Sequence, residues 1–302
     1  MKVLITGGAG FIGSHIAEYF SGKAEIVILD NLSTGSMKNL TGLDCTFIHG
    51  DVRNNDVVKK AIQGVNVVFH LAAMVSVPES MKSPDRCVDV NVNGMLNVVT
   101  ESVNCGVKKF IFSSSCSVYG NNPVIPKLET MIPEPESPYA VTKLDGEYYS
   151  HIFSATTSIN IVCLRYFNVF GPRQNPDSAY AAVVPSFIVN ALNGKNLIIY
   201  GDGSQTRDFV YVKDVVNANV FAMENNINGI FNVAYGKKIS VAELAEQILN
   251  MTGGQGKIIY QPERPGDVKH SVASITKITA AGFNPSYNFD EGIKETVSYY
   301  KK

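Results

Sequence analysis

Short apolar segments alternate with segments of helix length through the first two-thirds of this chain, which restricts the fold more than any other feature. The segment 65–69 is almost continuously apolar, as expected for a strand whose sheet is covered on both faces. Strands that alternate with helices form a parallel sheet with helices on both sides. We therefore predict an α/β fold with a doubly wound parallel sheet. The predicted strands are residues 2–6, 25–29, 46–49, 65–70, 109–113 and 159–165.

The pattern changes after Arg165, where Gly, Pro, Asn and Asp become frequent up to about Arg207. These residues favour loops, and long loops in compact domains often bind ligands. We predict a first domain of residues 1–166, rejoined by about 208–232. A smaller, discontinuous C-terminal lobe would contain residues 167–207 and 233–302. Within these parts the sequence predicts strands at 209–212 and 230–233, helices at 214–224 and from residue 240, and a basic turn at 263–267.

Composition and charge argue against several classes of partner. The 302 residues are 45% hydrophobic and 18% charged, with a net charge of -1, which gives no reason to expect nucleic acid or an anionic membrane as partner. The N-terminus lacks a signal-peptide pattern, and no apolar run approaches the ~20 residues of a membrane span. The five cysteines show no metal-binding spacing. These features predict a cytoplasmic protein with reduced thiols and no bound metal.

Three glycines lie between the first predicted strand and the helix that follows it. Gly7, Gly10 and Gly13 have the spacing GxxGxxG. Glycine permits a tight turn and lets the backbone approach a pyrophosphate, which then faces the N–H groups at the helix N-terminus. A glycine loop alone could be a simple tight turn, but the flanking strand and helix meet the requirement of a dinucleotide site. The motif therefore predicts a Rossmann-type domain.

Two carboxylates follow later predicted strands. Asp30 ends the second strand, where a carboxylate can accept hydrogen bonds from the adenosine ribose and would repel a 2′-phosphate, which favours NAD over NADP. A cap for the following turn is the alternative role for Asp30. Asp51 and Val52 follow the third strand, where they would contact adenine, although Asp51 alone is also typical of a helix cap.

Residues 137–143, Ser-Pro-Tyr-Ala-Val-Thr-Lys, carry the predicted chemistry. Ser137 is suited to cap a helix and Pro138 to occupy its first position, which puts Tyr139 and Lys143 on one helix face. A free Tyr has a pKa of about 10, but a nearby ammonium and the positive nicotinamide favour the phenolate. A phenolate can take a proton from a sugar hydroxyl while the carbon-bound hydrogen leaves as hydride. The pattern YxxxK alone is common on protein surfaces. Its interpretation as a catalytic pair therefore depends on the glycine motif of the predicted dinucleotide site.

Together these motifs resemble the extended short-chain dehydrogenase/reductase family and, within it, the NAD-dependent nucleotide-sugar epimerases. The resemblance runs from residue 1 to about 300, with the motifs in the family's order. They are residues 6–15, 70–73, 91–94, 113–120, 139–143 and 165–173. The resemblance implies NAD as cofactor, a UDP-sugar as substrate, and a homodimer. Helices around 85–104 and 138–155 of each subunit would form a four-helix bundle.

The resemblance also implies a role for individual residues. Ser115, Tyr139 and Lys143 would be catalytic, although residues 113–117 could equally be a serine-rich turn. The residues that would contact NAD are Gly7, Gly10, Phe11, Ile12, Gly13, Asp30, Asn31, Ser33, Gly35, Asp51, Val52, Leu71, Ala72, Ala73, Asn91, Tyr139, Lys143 and Phe167. The residues that would contact the substrate are Ser115, Asn168, Val184, Arg207, Arg264, Asp267 and Ser271.

The substrate residues have physical counterparts in a sugar nucleotide. Arg207 and Arg264 could grip a diphosphate bidentately, and Asp267 could accept hydrogen bonds from the uridine ribose. An arginine in a loop is otherwise a solvated charge. Similar enzymes that are restricted to plain hexoses tend to have a bulky Tyr where this chain has Ser271. A small residue there implies room for an N-acetyl group as well.

The choice of reaction depends on two side chains. Related 4,6-dehydratases carry an Asp-Glu pair where this chain has Cys116 and Ser117, and decarboxylating relatives keep a Glu at the second position. The resemblance therefore implies a UDP-hexose 4-epimerase that works through a transient 4-keto sugar, with Tyr139 as base and NAD as hydride carrier. The alternatives are a 4,6-dehydratase, a UDP-glucuronate-processing relative, or a catalytically silent binding module on the same scaffold.

Overall fold

The computed structural model describes residues 1–176, 182–263 and 269–301. The chain divides into two compact units. Unit 1 consists of Met1–Gly120, Ile132–Tyr166 and Val216–Phe231, and unit 2 consists of Asn121–Met131, Phe167–Val215 and Asn232–Lys302. These units differ from the boundaries that the sequence predicts at residues 121–131 and 208–215, both of which lie in unit 2.

Strands and helices alternate along unit 1 and mix with short strand pairs in unit 2. The strands are β1 (Lys2–Thr6), β2 (Glu25–Asp30), β3 (Thr46–His49), β4 (Val67–His70), β5 (Lys109–Ser115), β6 (Asn160–Tyr166), β7 (Asn168–Phe170), β8 (Leu197–Tyr200), β9 (Thr206–Arg207), β10 (Phe209–Tyr211), β11 (Gly229–Val233), β12 (Ile239–Ser240) and β13 (Ile258–Gln261). The α-helices are α1 (Phe11–Phe20), α2 (Asn55–Ala61), α3 (Val77–Lys82), α4 (Pro84–Val88), α5 (Gly94–Asn104), α6 (Pro138–Thr156), α7 (Val183–Leu192), α8 (Val212–Glu224), α9 (Val241–Thr252), α10 (Thr276–Ala280) and α11 (Phe289–Tyr300).

The main sheet has seven strands in the order β11-β6-β5-β4-β1-β2-β3, and strands β1 to β6 pair in parallel. The predicted α/β fold with a parallel sheet is therefore confirmed. The strand order reverses between β1 and β4. In doubly wound sheets, the crevice outside the carboxyl ends of the strands at such a point is where ligands bind. All predicted cofactor residues except Phe167 lie in the unit that contains this point.

Strands β4 and β5 each differ from the predicted limits by two residues at one end, for local reasons. Strand β4 begins at Val67 because Gly64, with φ 71°, turns the chain and the N–H of Val65 donates to Ile62 O at 3.1 Å. Strand β5 continues to Ser115 because it keeps its pairing with β6 as far as Tyr166. The extension places Ser115 at the last paired position of the strand.

The core of unit 1 lies around the central strands. The four residues of β4 are buried, and so are all residues of β1 after Lys2. Apolar side chains from helices α2 and α5 join the same cluster, among them Val58, Met95 and Val98. This core fixes the carboxyl ends of β1, β4 and β5, at which the predicted cofactor and catalytic residues lie.

Unit 2 is built from three two-stranded sheets, β7–β10, β8–β13 and β9–β12, together with α7, α9, α10 and α11. An aromatic cluster holds part of it together, since the Phe170 ring lies 5.5 Å from Tyr211 and 5.4 Å from Phe289 between centroids. Helix α11 approaches this cluster through Gly292, where a Cβ atom would lie 2.8 Å from Phe170 Cζ. The pairing of β7 with β10 and of β9 with β12 positions the predicted substrate residues Asn168 and Arg207.

Candidate active site

The glycine loop connects β1 to α1 with backbone contacts that leave no room for side chains. Gly7 has φ 71°, and a Cβ there would lie 2.8 Å from the Ala72 nitrogen. A Cβ on Gly13 would lie 2.3 Å from the Gly7 oxygen, so only glycine lets the helix begin against the loop. Gly10 is the N-cap of α1 and supplies no side-chain cap. The first turn of the helix therefore presents backbone N–H groups, beside Phe11 and Ile12, that suit a pyrophosphate.

Asp30 fastens this loop to the turn that follows β2. Its carboxylate is buried and accepts hydrogen bonds from Ala9 N at 2.9 Å and Leu32 N at 2.7 Å. The turn returns to the loop at Gly35, where a Cβ would lie 2.9 Å from the Ala9 carbonyl carbon. Asn31 Oδ1 accepts from Ser33 N at 3.0 Å within the same turn. The carboxylate thus stands fixed beside the glycine loop, where it would face the adenosine ribose.

Asp51 belongs to an ion-pair network. Its other members, Arg53 and Asp89, are not indicated as site residues by the sequence motifs. Arg53 donates to the Asp51 carboxylate from both its backbone N–H and its guanidinium, in each case at 2.9 Å. The guanidinium also donates to Asp89 at 3.0 Å. Asn31 Nδ2 donates to Asp51 at 2.8 Å, which joins this carboxylate to the turn after β2. Hydrogen bonds from Arg53 lower the pKa of Asp51 to about 2. Arg53 is two residues from Asp51 in sequence, and that short spacing was a usable signal.

The loop after β4 is held from two sides. Leu71 N donates to Thr6 O at 3.1 Å, and Ala72 N donates to Thr6 Oγ1 at 3.3 Å. Ala73 lies between these contacts and Met74, whose backbone N and O both bond the buried Asn91 side chain, at 2.7 and 3.1 Å. Asn91 lies in a π-helical turn, Asp89–Asn93, between α4 and α5. Such turns occur frequently at functional sites.

Val52 lies against the first residue of the helix that follows Asn91, and Thr142 contacts the Asn91 side chain itself. Buried Val52 packs on Gly94, where a Cβ would lie 2.6 Å from a Val52 methyl group. Asn91 Nδ2 donates to Thr142 Oγ1 at 2.9 Å, and this hydroxyl donates in turn to Tyr139 O at 2.8 Å. Asn91 therefore links the cofactor loop to the helix of the predicted catalytic residues, a role for Thr142 that the sequence pattern did not indicate.

Helix α6 begins as predicted. Ser137 is its N-cap and accepts a hydrogen bond from Ala140 N at 3.2 Å, and Pro138 is its first residue. Tyr139 and Lys143 lie one turn apart on this helix, with Lys143 Nζ 5.9 Å from the centre of the Tyr139 ring. Lys143 is buried and donates to Ser113 O at 2.7 Å. Its ammonium is thus directed at the end of β5.

Ser115 and Tyr139 meet at that end of the sheet. Burial raises the pKa of the Tyr139 hydroxyl to about 12, and its hydrogen bond with Ser115 acts in the opposite direction. Burial also lowers the pKa of Lys143 to about 8. Ser115 Oγ accepts from Ser117 N at 3.1 Å, so the serine caps a short 3₁₀ turn as well. Ser115, Tyr139 and Lys143 therefore form one cluster in unit 1.

A buried ion pair behind this cluster was not predicted. Glu147 lies one turn after Lys143 on α6, and its carboxylate accepts two parallel hydrogen bonds from Arg165, at 2.8 and 2.7 Å. Ser114 Oγ donates to the same carboxylate at 2.5 Å. Ser114 and Arg165 are paired neighbours on β5 and β6, so the pair fastens α6 to both strands. The i, i+4, i+8 spacing of Tyr139, Lys143 and Glu147 was the only local signal.

Of the predicted substrate residues, Ser115 lies in unit 1 with the catalytic cluster, whereas Asn168, Val184, Arg207 and Ser271 lie in unit 2 with Phe167. Phe167 is buried and donates from its N–H to Val233 O at 3.0 Å, and Asn168 N donates to Asp208 O at 3.0 Å. Arg207 is half-buried in β9, and its guanidinium donates to Thr206 O at 3.0 Å. Ser271 is half-buried, and its N–H donates to Thr206 O at 3.1 Å. Val184 is buried in α7. Arg264 and Asp267 lie outside the described residues.

Within residues 1–176, 182–263 and 269–301, no helix is both long and apolar enough to cross a membrane. In the same parts of the chain, no three His, Cys, Asp or Glu side chains are grouped so that they could hold a metal ion.

Known proteins resemble the whole chain. The profile of the family described as "NAD dependent epimerase/dehydratase family" matches residues 3–234. A putative UDP-glucose 4-epimerase of Methanocaldococcus jannaschii is 39% identical over 302 residues, which cover 99% of this chain and 98% of that protein.

Solved structures give the same result. A UDP-N-acetylglucosamine 4-epimerase of Methanobrevibacter ruminantium, in complex with UDP-N-acetylmuramic acid, superposes with a TM-score of 0.96 at 42% identity, covering 99% of this chain and 98% of that one. A UDP-glucose 4-epimerase of Thermus thermophilus in complex with NAD superposes with a TM-score of 0.92 at 37% identity, covering 100% and 99%. The glycine cradle, the fixed Asp30 and the uncapped start of α1 suit a dinucleotide. This chain belongs to the NAD-dependent epimerase/dehydratase family, within the extended short-chain dehydrogenases/reductases, and NAD is its cofactor.

Proposed function

We propose that this protein is an NAD-dependent UDP-hexose 4-epimerase. The observation that carries the proposal is the cluster at the end of β5, where the hydroxyls of Ser115 and Tyr139 are hydrogen-bonded and Lys143 is buried beside them. The cluster lies in the same unit as the glycine loop and Asp30. The similarity to UDP-sugar 4-epimerases over nearly the full chain supports the same activity.

In the proposed reaction, Tyr139 removes the proton of the sugar's C4 hydroxyl, while Ser115 holds the same oxygen by a hydrogen bond. Bound NAD supplies reversible hydride transfer at C4. The Tyr139 hydroxyl has a pKa near 12 in the structure because it is buried. A positively charged nicotinamide nearby would lower that pKa, and the Lys143 ammonium acts in the same direction. After the 4-keto sugar has turned over, its opposite face is presented for the return of the hydride, which inverts C4, and Tyr139 returns the proton to the C4 oxygen.

Two side chains favour epimerisation over loss of water. Family membership alone does not decide between epimerisation and loss of water, because the family's own description includes dehydratases. A dehydratase needs an acid and a base beyond the tyrosine. The positions where related dehydratases carry Asp and Glu hold Cys116 and Ser117, which follow Ser115 directly. A thiol and a hydroxyl are poor replacements for two carboxyl groups.

The UDP part of the substrate would be held by unit 2. Asn168, Arg207 and Arg264 would contact the diphosphate, Asp267 the uridine ribose, and Val184 an apolar part of the nucleotide. The diphosphate stays anchored while the sugar turns, so the binding energy of the nucleotide is kept through the reaction. Arg207 is half-buried in a strand, which suits a fixed guanidinium more than a freely solvated one.

Ser271 is the residue proposed to decide which sugars fit. It is small, half-buried and fixed through its backbone to Thr206. A relative at 42% identity binds a UDP-sugar that carries an N-acetyl group, as its name states. We propose that UDP-N-acetylglucosamine and UDP-N-acetylgalactosamine are substrates besides UDP-glucose and UDP-galactose. Removing a steric block admits the larger sugar but creates no preference for it.

The test is to incubate the purified protein with NAD and either UDP-galactose or UDP-N-acetylgalactosamine, and to follow the products by proton NMR of the anomeric region and by mass. A gluco product of unchanged mass is expected from both sugars. A product lighter by one water would instead indicate a dehydratase. If NAD and UDP bind but neither sugar is converted, a silent binding module or a uronic-acid substrate replaces the proposal. The Tyr139→Phe variant is the control, because it keeps the ring and removes the proposed base.

We also propose a homodimer through helices near Asp85–Asn104 and α6. One side of α6 exposes Val141, Tyr148 and Ile152, with 42%, 57% and 51% of their surfaces accessible. Their spacing of seven and four residues forms a single apolar stripe along the helix. Val88 is likewise 43% exposed on α4. Light scattering after size exclusion should give twice the chain mass, and Ile152→Lys should reduce it towards one chain.

A further inference from the structure

A buried carboxylate of unit 2, outside the catalytic cluster, connects backbone segments that carry three of the predicted substrate residues. Asp208 is fully buried in unit 2, between β9 and β10. Its carboxylate accepts hydrogen bonds from Tyr235 N at 2.8 Å, from Gly236 N at 3.1 and 3.2 Å, and from Ala273 N at 3.1 Å. Three backbone donors from two distant segments thus converge on one side chain.

The segments that meet at Asp208 contain three of the residues proposed to bind the UDP-sugar, namely Arg207, Asn168 and Ser271. Arg207 precedes Asp208 directly, and Asn168 N donates to the backbone oxygen of Asp208 at 3.0 Å. Ser271 is anchored directly, because its own N–H donates to Thr206 O. Two residues further on, the N–H of Ala273 donates to the Asp208 carboxylate. Asn168, Arg207 and Ser271 are therefore each within two residues of a bond to residues 206–208.

We propose that Asp208 is a positioning residue for nucleotide-sugar binding, which fixes the Ser271 segment and the Tyr235–Gly236 turn relative to Arg207 and Asn168. The inference rests on the proposed function, because it takes these residues as the UDP-sugar site. Asp208 acts through its neighbours, since its own carboxylate is consumed by backbone donors. A buried N–H that loses its acceptor is costly, so the segments should separate when the carboxylate is altered.

Asparagine is the sharpest replacement. It keeps the volume of aspartate, but it offers one acceptor oxygen and turns an amide NH₂ toward the remaining donors. The amide oxygen can accept from the Tyr235–Gly236 turn or from Ala273. The N–H groups of the other segment then face the amide NH₂, which is itself a donor. Loosening of the Ser271 segment should weaken UDP binding before it affects any step at the cofactor.

Asp214 offers a matched control in the same unit. It is also buried, and its carboxylate accepts from Ser286 N at 2.7 Å, Ser286 Oγ at 3.0 Å and Tyr287 N at 3.2 Å. Ser286 and Tyr287 are not among the residues proposed to bind the substrate. The Asp214→Asn variant therefore carries the same chemical change in the same unit, and the bonds it alters join Asp214 to Ser286 and Tyr287 rather than to a proposed substrate residue.

The experiment measures UDP and NAD affinity of the full chain by calorimetry. Asp208→Asn is expected to weaken UDP binding about tenfold or more, with NAD affinity changed less than about twofold, whereas Asp214→Asn changes neither by more than about twofold. Equal losses of UDP affinity in the two variants, or no loss in Asp208→Asn, would overturn the inference. A parent protein that binds no UDP would overturn the proposed function with it.

Hydrogen exchange on the parent protein tests the same link without a variant that must fold. If the hydrogen bonds of Asp208 favour UDP binding, then bound UDP must stabilise those hydrogen bonds to the same extent. The amides of Tyr235, Gly236 and Ala273 are expected to exchange about fivefold more slowly with saturating UDP. The amides of Ser286 and Tyr287, which bond Asp214, should change less than about twofold. Equal changes in the two sets would contradict a positioning role for Asp208.

Discussion

Replacing Glu147 with Gln should destabilise unit 1 strongly, because it leaves a buried guanidinium without its counter-charge. The side chains of Arg165 and Glu147 are 2% and 1% exposed, and two parallel hydrogen bonds of 2.8 and 2.7 Å join them. Breaking a buried pair by removing one partner typically costs ~3–5 kcal/mol. The Ser114 hydroxyl also donates to this carboxylate, but the amide oxygen of the replacement glutamine can still accept that bond, so the loss comes from the missing charge and from the second Arg165 bond.

The assay is urea denaturation followed by circular dichroism, fitted with two transitions if the units unfold separately. The matched control is Glu25→Gln, which breaks the Lys2–Glu25 pair, whose atoms are 2.9 Å apart and whose side chains are 26% and 61% exposed. Such surface pairs contribute at most about 1 kcal/mol. The double variant Glu147→Leu with Arg165→Met removes both charges and should be more stable than Glu147→Gln. If Glu147→Gln loses no more stability than Glu25→Gln, the buried pair does not fasten α6 to the sheet.

Three further predictions concern the cofactor, the base and the sugar. Gly13→Ala should weaken NAD binding about tenfold or more, since the new Cβ would lie 2.3 Å from the Gly7 oxygen, while UDP affinity, the internal control, should hold. The difference in phenolate absorbance between the parent and Tyr139→Phe reports the ionisation of Tyr139. Its titration midpoint should lie towards pH 12 without NAD and at a lower pH with NAD. A midpoint at or below about pH 10 without NAD would refute the effect of burial on this pKa. Ser271→Tyr should reduce turnover of UDP-N-acetylgalactosamine about tenfold more than that of UDP-galactose, and equal losses would refute the steric role of Ser271.

Local features of the sequence predicted the parts of the fold that local physics decides. The alternation of strands and helices gave the parallel sheet, and Ser137 with Pro138 gave the start of α6 within one residue. The glycine loop was predictable because its spacing reflects a steric demand, which the contacts of Gly7 and Gly13 now explain. In each case the residues that cause the structure are neighbours in sequence.

Contacts between distant segments could not be predicted in the same way. Glu147 lies on the same face of α6 as Tyr139 and Lys143, but its partner Arg165 is 18 residues further on and becomes adjacent only through the register of β5 and β6. Asp208 bonds Ala273 across 65 residues. The sequence pattern likewise does not assign Asn121–Met131 to unit 2, since the bonds of this segment to Val272 and Ser274 depend on tertiary structure.

The most direct test of the proposed reaction follows the hydrogen at C4. UDP-galactose that carries deuterium at C4 would be converted in ordinary water with unlabelled NAD, and the product analysed by NMR and mass. Transfer from C4 and back to the same carbon predicts UDP-glucose of unchanged mass with deuterium retained at C4, and no such product from Tyr139→Phe. Loss of the label to solvent, or a product lighter by one water, would contradict a 4-epimerase that oxidises and reduces the same carbon.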